Sequence, residues 1–259
     1  MNYTTQEWLN LAFRWTHVFA GILWIGATWY FTWLDRRFHT GDPDEVWMVH
    51  SGGFYQVKKT RSPSPAHTLH WFKWEAAFTW LSGLALLILV YYFGGLMTDG
   101  DPEKLSNGKA IAVGIATIFV GWILYDKVLA RNGYVALAAG LILIMVTAWA
   151  LGRVMASRAA FMHVGALLGT LMAANVWDRI IPAQKQMVRA AKEGGVPDQR
   201  LADTAKNRSK HNTYLIMPVV LIMISNHFPI STYGNEYGWA ILGGLTVVGW
   251  GAAHVIRNH

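Results

Sequence analysis

Seven apolar runs of membrane-crossing character dominate this chain and limit what it can fold into. A hydrocarbon core of about 30 Å takes about 20 residues of α-helix. The runs lie near Leu11–Leu34, Trp74–Met97, Ile111–Leu129, Tyr134–Gly152, Ala159–Trp177, Tyr214–Phe228 and Trp239–Ile256. The sixth is short and carries Pro218, which a bundle tolerates when neighbours satisfy the freed carbonyl. Charged residues are only 14% of the chain, against about 25% in soluble domains. That is too little charge to coat a soluble surface. Tryptophans recur near the ends of the runs (Trp8, Trp15, Trp33, Trp71, Trp74, Trp177 and Trp239), as in an interfacial aromatic belt. The expected fold is all-α: a polytopic membrane helix bundle of about seven transmembrane helices, forming a single integral membrane domain over residues 1–259.

Lysine and arginine set the expected orientation. With the N-terminus outside, seventeen of them fall on the inner side and four in the outer loops, a strong positive-inside bias. The C-terminus is then inside. The start, MNYTTQEWLNLAF, lacks a basic leader, so the first run reads as a span that stays. The formal net charge of +7 is thus an orientation signal. Spread along span ends, it suggests no nucleic-acid partner.

Two inner connections are long, 35–72 and 178–210. The first holds Gly-Gly followed by Phe-Tyr-Gln-Val-Lys-Lys, a turn and short strand signal, and a Ser-Pro-Ser-Pro stretch at 62–65 that reads as rigid and extended. The second opens on a basic amphipathic segment from Ile181 to Lys192 with Pro182 at its head. It is expected to lie on the inner leaflet or to cap the bundle.

The chain has ten histidines and no cysteine. Disulfides, thiolate metal sites and a covalent c-type haem are excluded. On the expected topology, His17, His163 and His227 form an outer group. His67, His70, His211 and His254 lie at the inner level, and His50 in the first inner loop. Ionisable groups inside spans are functional candidates, and neutral imidazole is a haem ligand. His17 and His163 stand beside small residues (Ala20, Gly21; Gly165, Ala166) that would admit a flat macrocycle. The segment from His67 to Glu75 is the densest polar cluster at a span mouth. Its paired histidines share a helical face, and Glu75 opens a helix, where the dipole favours an anion.

Several stretches resemble a known family. They are Arg14-Trp-Thr-His17-Val-Phe-Ala-Gly-Ile-Leu-Trp-Ile-Gly26, Trp33-Leu-Asp35, His50-Ser-Gly-Gly-Phe-Tyr55 and Thr68-Leu-His70-Trp-Phe-Lys-Trp-Glu-Ala76. To these add His163-Val-Gly-Ala166, Ala174-Asn-Val-Trp-Asp-Arg-Ile-Ile-Pro-Ala-Gln184, Arg208-Ser-Lys-His211-Asn-Thr-Tyr214 and Ser225-Asn-His227-Phe-Pro229. Together they resemble the membrane domain of bacterial membrane-bound urate hydroxylases, the urate oxidase N-terminal family, from about Asn10 onward. The resemblance implies a multi-pass protein of the bacterial inner membrane that oxidises urate to 5-hydroxyisourate. Typical members continue into an eighth span and an external cytochrome c domain. This sequence has no Cys-x-x-Cys-His, so either the chain is truncated or a separate cytochrome c takes the electrons.

The two readings combine into a mechanism. Electrons taken from urate inside must cross the bilayer to an outer acceptor, which calls for a relay within the bundle. The expectation is haem b held by His17 and His163, with His227 as substitute ligand and a second haem at His70 and His254. Urate, a monoanion, is expected at the inner mouth, met by Lys73 or Arg208. His70, His67 and Glu75 are the candidate bases for activating water. The alternatives are a non-catalytic membrane cytochrome b and a porphyrinogen-oxidase-like haem protein. A transporter is disfavoured, since no internal repeat is visible.

Overall fold

Every apolar run forms a helix over most of its length in the computed structural model, which describes residues 2–40, 45–60, 68–130 and 133–258; the second run leaves its helix after Tyr92 and the sixth after His227. The expectations for His67 and for the Ser-Pro stretch at 62–65 fall outside the described residues. Helix α1 spans Tyr3–Thr40 and is followed by strands β1 (Glu45–His50) and β2 (Gly53–Lys58). Helix α2 (Trp74–Leu86) runs on into a π-helical segment, Leu87–Tyr92. Helix α3 (Asn107–Leu124) does the same through Tyr125–Leu129. Helix α4 covers Tyr134–Val154. Helix α5 (Ser157–Ala174) passes through a third π segment, Asn175–Ile180, into α6 (Ile181–Lys192). Helix α7 is Gln199–Ile224, closed by a 3-10 turn at Ser225–His227, and α8 is Gly238–Asn258.

Five of these rods are long and apolar enough to cross a membrane: Trp74–Tyr92, Asn107–Leu129, Tyr134–Val154, Ser157–Lys192 and Gly238–Asn258. The other two expected spans coincide with α1 and α7, which fall below that mark. The run in α1 is rich in Trp, Tyr and Thr, which score as weakly apolar. The first half of α7 carries Arg200, Lys206, Arg208 and Lys210. Much of the outer surface is nonetheless apolar: Trp15, Phe19 and Ile22 on α1, Phe119 and Val120 on α3, and Val247 and Val248 on α8 are exposed. A lipid environment accounts for such exposure; water does not.

The helices alternate in direction. His17 of α1 meets Gly83 of α2, whereas Phe31 meets Phe72 just before it, so α1 and α2 are antiparallel. Trp80 of α2 donates to Thr170 of α5, and Tyr92 reaches back to His163, again antiparallel. α3 and α5 are parallel, because Gly114 faces His163 and Tyr125 faces Asn175. α7 runs against both α5 and α8. One end of the bundle therefore gathers the C-terminus of α1, the start of α2, the π segment of α3, the junction of α5 with α6, and the end of α8. We call it the hairpin end, since the β1–β2 hairpin packs there through Val46 on Leu34 and Phe38. The strands are antiparallel, with Glu45 opposite Lys58 and His50 opposite Gly53.

The amphipathic segment at 181–192 forms helix α6 at the hairpin end. It extends α5 as one rod of 36 residues, roughly 54 Å at 1.5 Å per residue, well beyond the ~30 Å core. Pro182 follows directly on the π segment Asn175–Ile180, whose changed hydrogen-bond register accommodates a residue without an N–H. α6 and the first half of α7 thus form a helical hairpin that projects from the hairpin end.

Candidate functional site

At the hairpin end, the segment before α2 and helix α6 enclose a groove of about 250 Å³. It is lined by Leu69, His70, Trp71, Gln184, Met187, Val188, Ala191 and Pro197. On α6 the lining positions 184, 187, 188 and 191 follow the i, i+3, i+4, i+7 spacing of one helical face. His70 is exposed into this region, its ring edge-on to Phe72 at 4.6 Å, which in turn meets Phe31 at 4.9 Å. Lys73 holds its ammonium 5.2 Å from the ring centroid of Trp74 and 5.6 Å from that of Trp177, a cation–π clamp. Glu75 lies half-buried in the first turn of α2, where the helix dipole favours its charge. Among the described residues, no hydrogen bond or ion pair links His70, Lys73 and Glu75 to one another.

Arg208 stands elsewhere. Its guanidinium donates to Asp126 Oδ1 at 3.0 Å and to Asn175 Oδ1 at 3.1 Å, and lies over the Tyr125 ring. Arg179 also engages both carboxylate oxygens of Asp126. Lys127 reaches the same carboxylate at 3.5 Å, so Asp126 is shared by two arginines and, less closely, a lysine. Asn175, almost fully buried, donates to Tyr125 Oη at 2.8 Å and to Asn212 Oδ1 at 2.8 Å. Asn212 donates on to the Met172 carbonyl. Tyr125 Oη is 2.9 Å from His211 Nδ1. Two π segments carry Tyr125, Asp126, Asn175 and Arg179. A π turn displaces side chains from the α register and is frequent at functional sites. Here it turns these polar groups inward on one level. Sequence reasoning named Arg208 as a substrate cation. The structure places it on Asp126, a carboxylate shared with Arg179 and Lys127, and not among the residues that line the groove.

The histidines expected at the first haem (His17, His163, His227) and at the second (His70, His254) stand in different surroundings. His163 is fully buried. Its Nδ1 lies 2.8 Å from the Ala159 carbonyl, which can only accept, so Nδ1 carries the proton. Its Nε2 therefore accepts from Tyr92 Oη at 3.2 Å, with the two rings stacked. A Cβ placed on Gly114 would lie 2.4 Å from that Nε2. The slot holds one imidazole and nothing wider. The small residue beside His163, Gly165, serves close packing on Ile222 of α7. His17 differs. Its Nδ1–H donates to the Thr79 carbonyl at 2.8 Å, and its Nε2 has no hydrogen-bond partner among the described residues. The ring sits at the level of Gly83, nine residues from Tyr92 along α2. Thr170, the partner of Trp80, lies seven residues beyond His163 on α5, and Gly83 lies three residues from Trp80 on α2, which sets His17 roughly 6 Å deeper than His163. His227 is exposed beside Asn226, which accepts from Arg158. His254 is exposed on α8, near Tyr214 Oη and Asn258, with neighbours different from those of His70. An axial haem ligand needs one ring nitrogen fixed by a hydrogen bond and the other free. His17 fits that description; His163 does not.

Fold and surface define a polytopic helical membrane protein. The profile of the Urate oxidase N-terminal family matches residues 3–259, and the chain belongs to that family. No curated protein and no solved structure gives a match.

Proposed function

We propose that this membrane protein hydroxylates urate to 5-hydroxyisourate at the hairpin end, taken as the cytoplasmic face of a bacterial inner membrane, and passes two electrons to an external cytochrome c. The observation that carries the reading is the family match along nearly the whole chain. The excess of Lys and Arg on the side of the hairpin end supports the orientation.

The reaction balances as urate plus water giving 5-hydroxyisourate, two protons and two electrons. In the groove, the His70 imidazole takes a proton from the attacking water. Lys73 contributes positive potential at the mouth, the exposed His70 ring releases the proton to solvent, and Glu75 at the head of α2 is the alternative base. Arg208 lies at the Asp126 cluster and does not line the groove. Haem b, when bound through His17, would supply one-electron transfer inside the bundle. His163 would join it only by giving up its bond from Tyr92.

Purified protein should turn over urate with ferric cytochrome c as acceptor, and His70→Ala should lower kcat by about 10²–10⁴-fold while the protein stays folded. Full turnover by His70→Ala would remove the groove from the proposal.

A further inference from the structure

The groove contains a polar group that this mechanism does not use. Gln184 stands at the head of the α6 face that closes the groove opposite Leu69–Trp71, and the rest of that face is Met187, Val188 and Ala191. Its carboxamide makes no hydrogen bond among the described residues, whereas the amides of Asn175, Asn212 and Asn226 are all engaged. A carboxamide presents a donor and an acceptor side by side. That pair complements an O=C–N–H edge, in the way that Asn and Gln bind an adenine edge bidentately. The six-membered ring of urate carries such edges. Trp71 packs against the cluster of Ala76, Val176 and Ile181 while also lining the groove, which leaves aromatic surface for a flat ring. On the same helix Lys185 and Lys192 form no ion pair among the described residues, while Arg189 is paired with Glu193. Their potential draws an anion toward the groove.

We infer that Gln184 is the specificity-determining residue, its carboxamide pairing with an O=C–N–H edge of the substrate's six-membered ring while Trp71 supports the ring face. This rests on the urate reading above. It assigns Gln184 a positioning role and no part in proton transfer.

The test uses the full chain in lipid nanodiscs and equilibrium dialysis with urate, 1-methylurate and 3-methylurate. The wild type should bind urate and disfavour at least one methyl derivative, because a methyl group on the contacted nitrogen removes the donor. Gln184→Ala should weaken urate binding by about ten- to a hundredfold, the worth of a bidentate contact, and should erase the discrimination against the methylated ring. KM should rise with it, by more than kcat falls. Gln184→Glu keeps the volume but loses the N–H donor and adds a negative charge, so it should bind the monoanion more weakly still. Gln184 is exposed on its helix, and both variants should keep the wild-type elution volume and melting temperature. Equal urate affinity and equal methyl discrimination in wild type and variants would overturn the inference and leave the proposed function standing. A wild type that binds no urate would overturn both.

Discussion

Gly114→Ala tests how tightly the bundle closes on His163. The new Cβ would sit 2.4 Å from His163 Nε2 and 2.5 Å from Cδ2. The ring cannot retreat, since it is fully buried and tied to Ala159 on one side and Tyr92 on the other. Overpacking a core by one methyl costs about 1–3 kcal/mol. Displacing the ring also breaks the Tyr92 hydrogen bond and leaves a buried acceptor, a further ~1–3 kcal/mol. Alanine recovers about 1 kcal/mol of helix propensity over glycine. The expected net loss is about 2–3 kcal/mol, or roughly 6–9 °C in melting temperature for a chain of this size. The assay is thermal unfolding in detergent followed by circular dichroism. Gly140→Ala, where nothing lies within 4 Å of the added Cβ, is the control and should melt at or slightly above wild type. The double variant Gly114→Ala/His163→Ala should lose less than the sum of its parts, since the clash is gone. If Gly114→Ala melts with the wild type, the ring does not fill this slot, and the argument against His163 as a haem ligand fails with it.

Asp126→Asn should cost about 2–4 kcal/mol in chemical unfolding, because it leaves two arginines facing an uncharged amide; the loss is below that of a fully buried pair since Arg179 is 38% exposed. Asp178→Asn, at an exposed position, should be neutral, and equal effects of the two would show that Asp126 is not the carboxylate that holds Arg179. Tyr92→Phe should cost about 1–3 kcal/mol for an unpaired Nε2 at His163 without changing KM for urate; a shift in KM would place Tyr92 near the substrate. In reduced-minus-oxidised spectra, a b-type band should survive His163→Ala and vanish in His17→Ala, and the reverse pattern would refute the ligand assignment.

The helix positions were legible in the sequence because apolar runs of bilayer length have few alternatives. The continuation of α5 into α6 was not. A polar stretch after a span reads as an interfacial segment, and the π turn at Asn175–Ile180 that joins the two leaves no simple periodic mark. The histidines were sorted by distance along each run, which ignores how far each helix is shifted along its neighbour. His17 therefore reads as level with His163, although the packing of α1 on α2 sets it deeper. Partners chosen by tertiary contact were the least visible. Nothing local to Arg208 says that Asp126, on another helix, takes its charge. One signal was available for the Asp126, Asn175 and Arg208 cluster: polar residues near the ends of three apolar runs, all at the same end of the bundle. Such residues in a membrane protein tend to find one another. Gln184 closes one of the stretches that carry the family resemblance, but one amide on a charged amphipathic helix reads as solvent-facing, and no local pattern points it at a groove.

The central claim is urate oxidation coupled to an external electron acceptor. Its most direct test is an anaerobic assay of the protein in sealed proteoliposomes, with urate on the hairpin-end side and ferric cytochrome c on the other. The account predicts 5-hydroxyisourate in the urate compartment and two cytochromes reduced for each urate consumed. Urate left intact in the presence of folded, correctly oriented protein and oxidised cytochrome would contradict it.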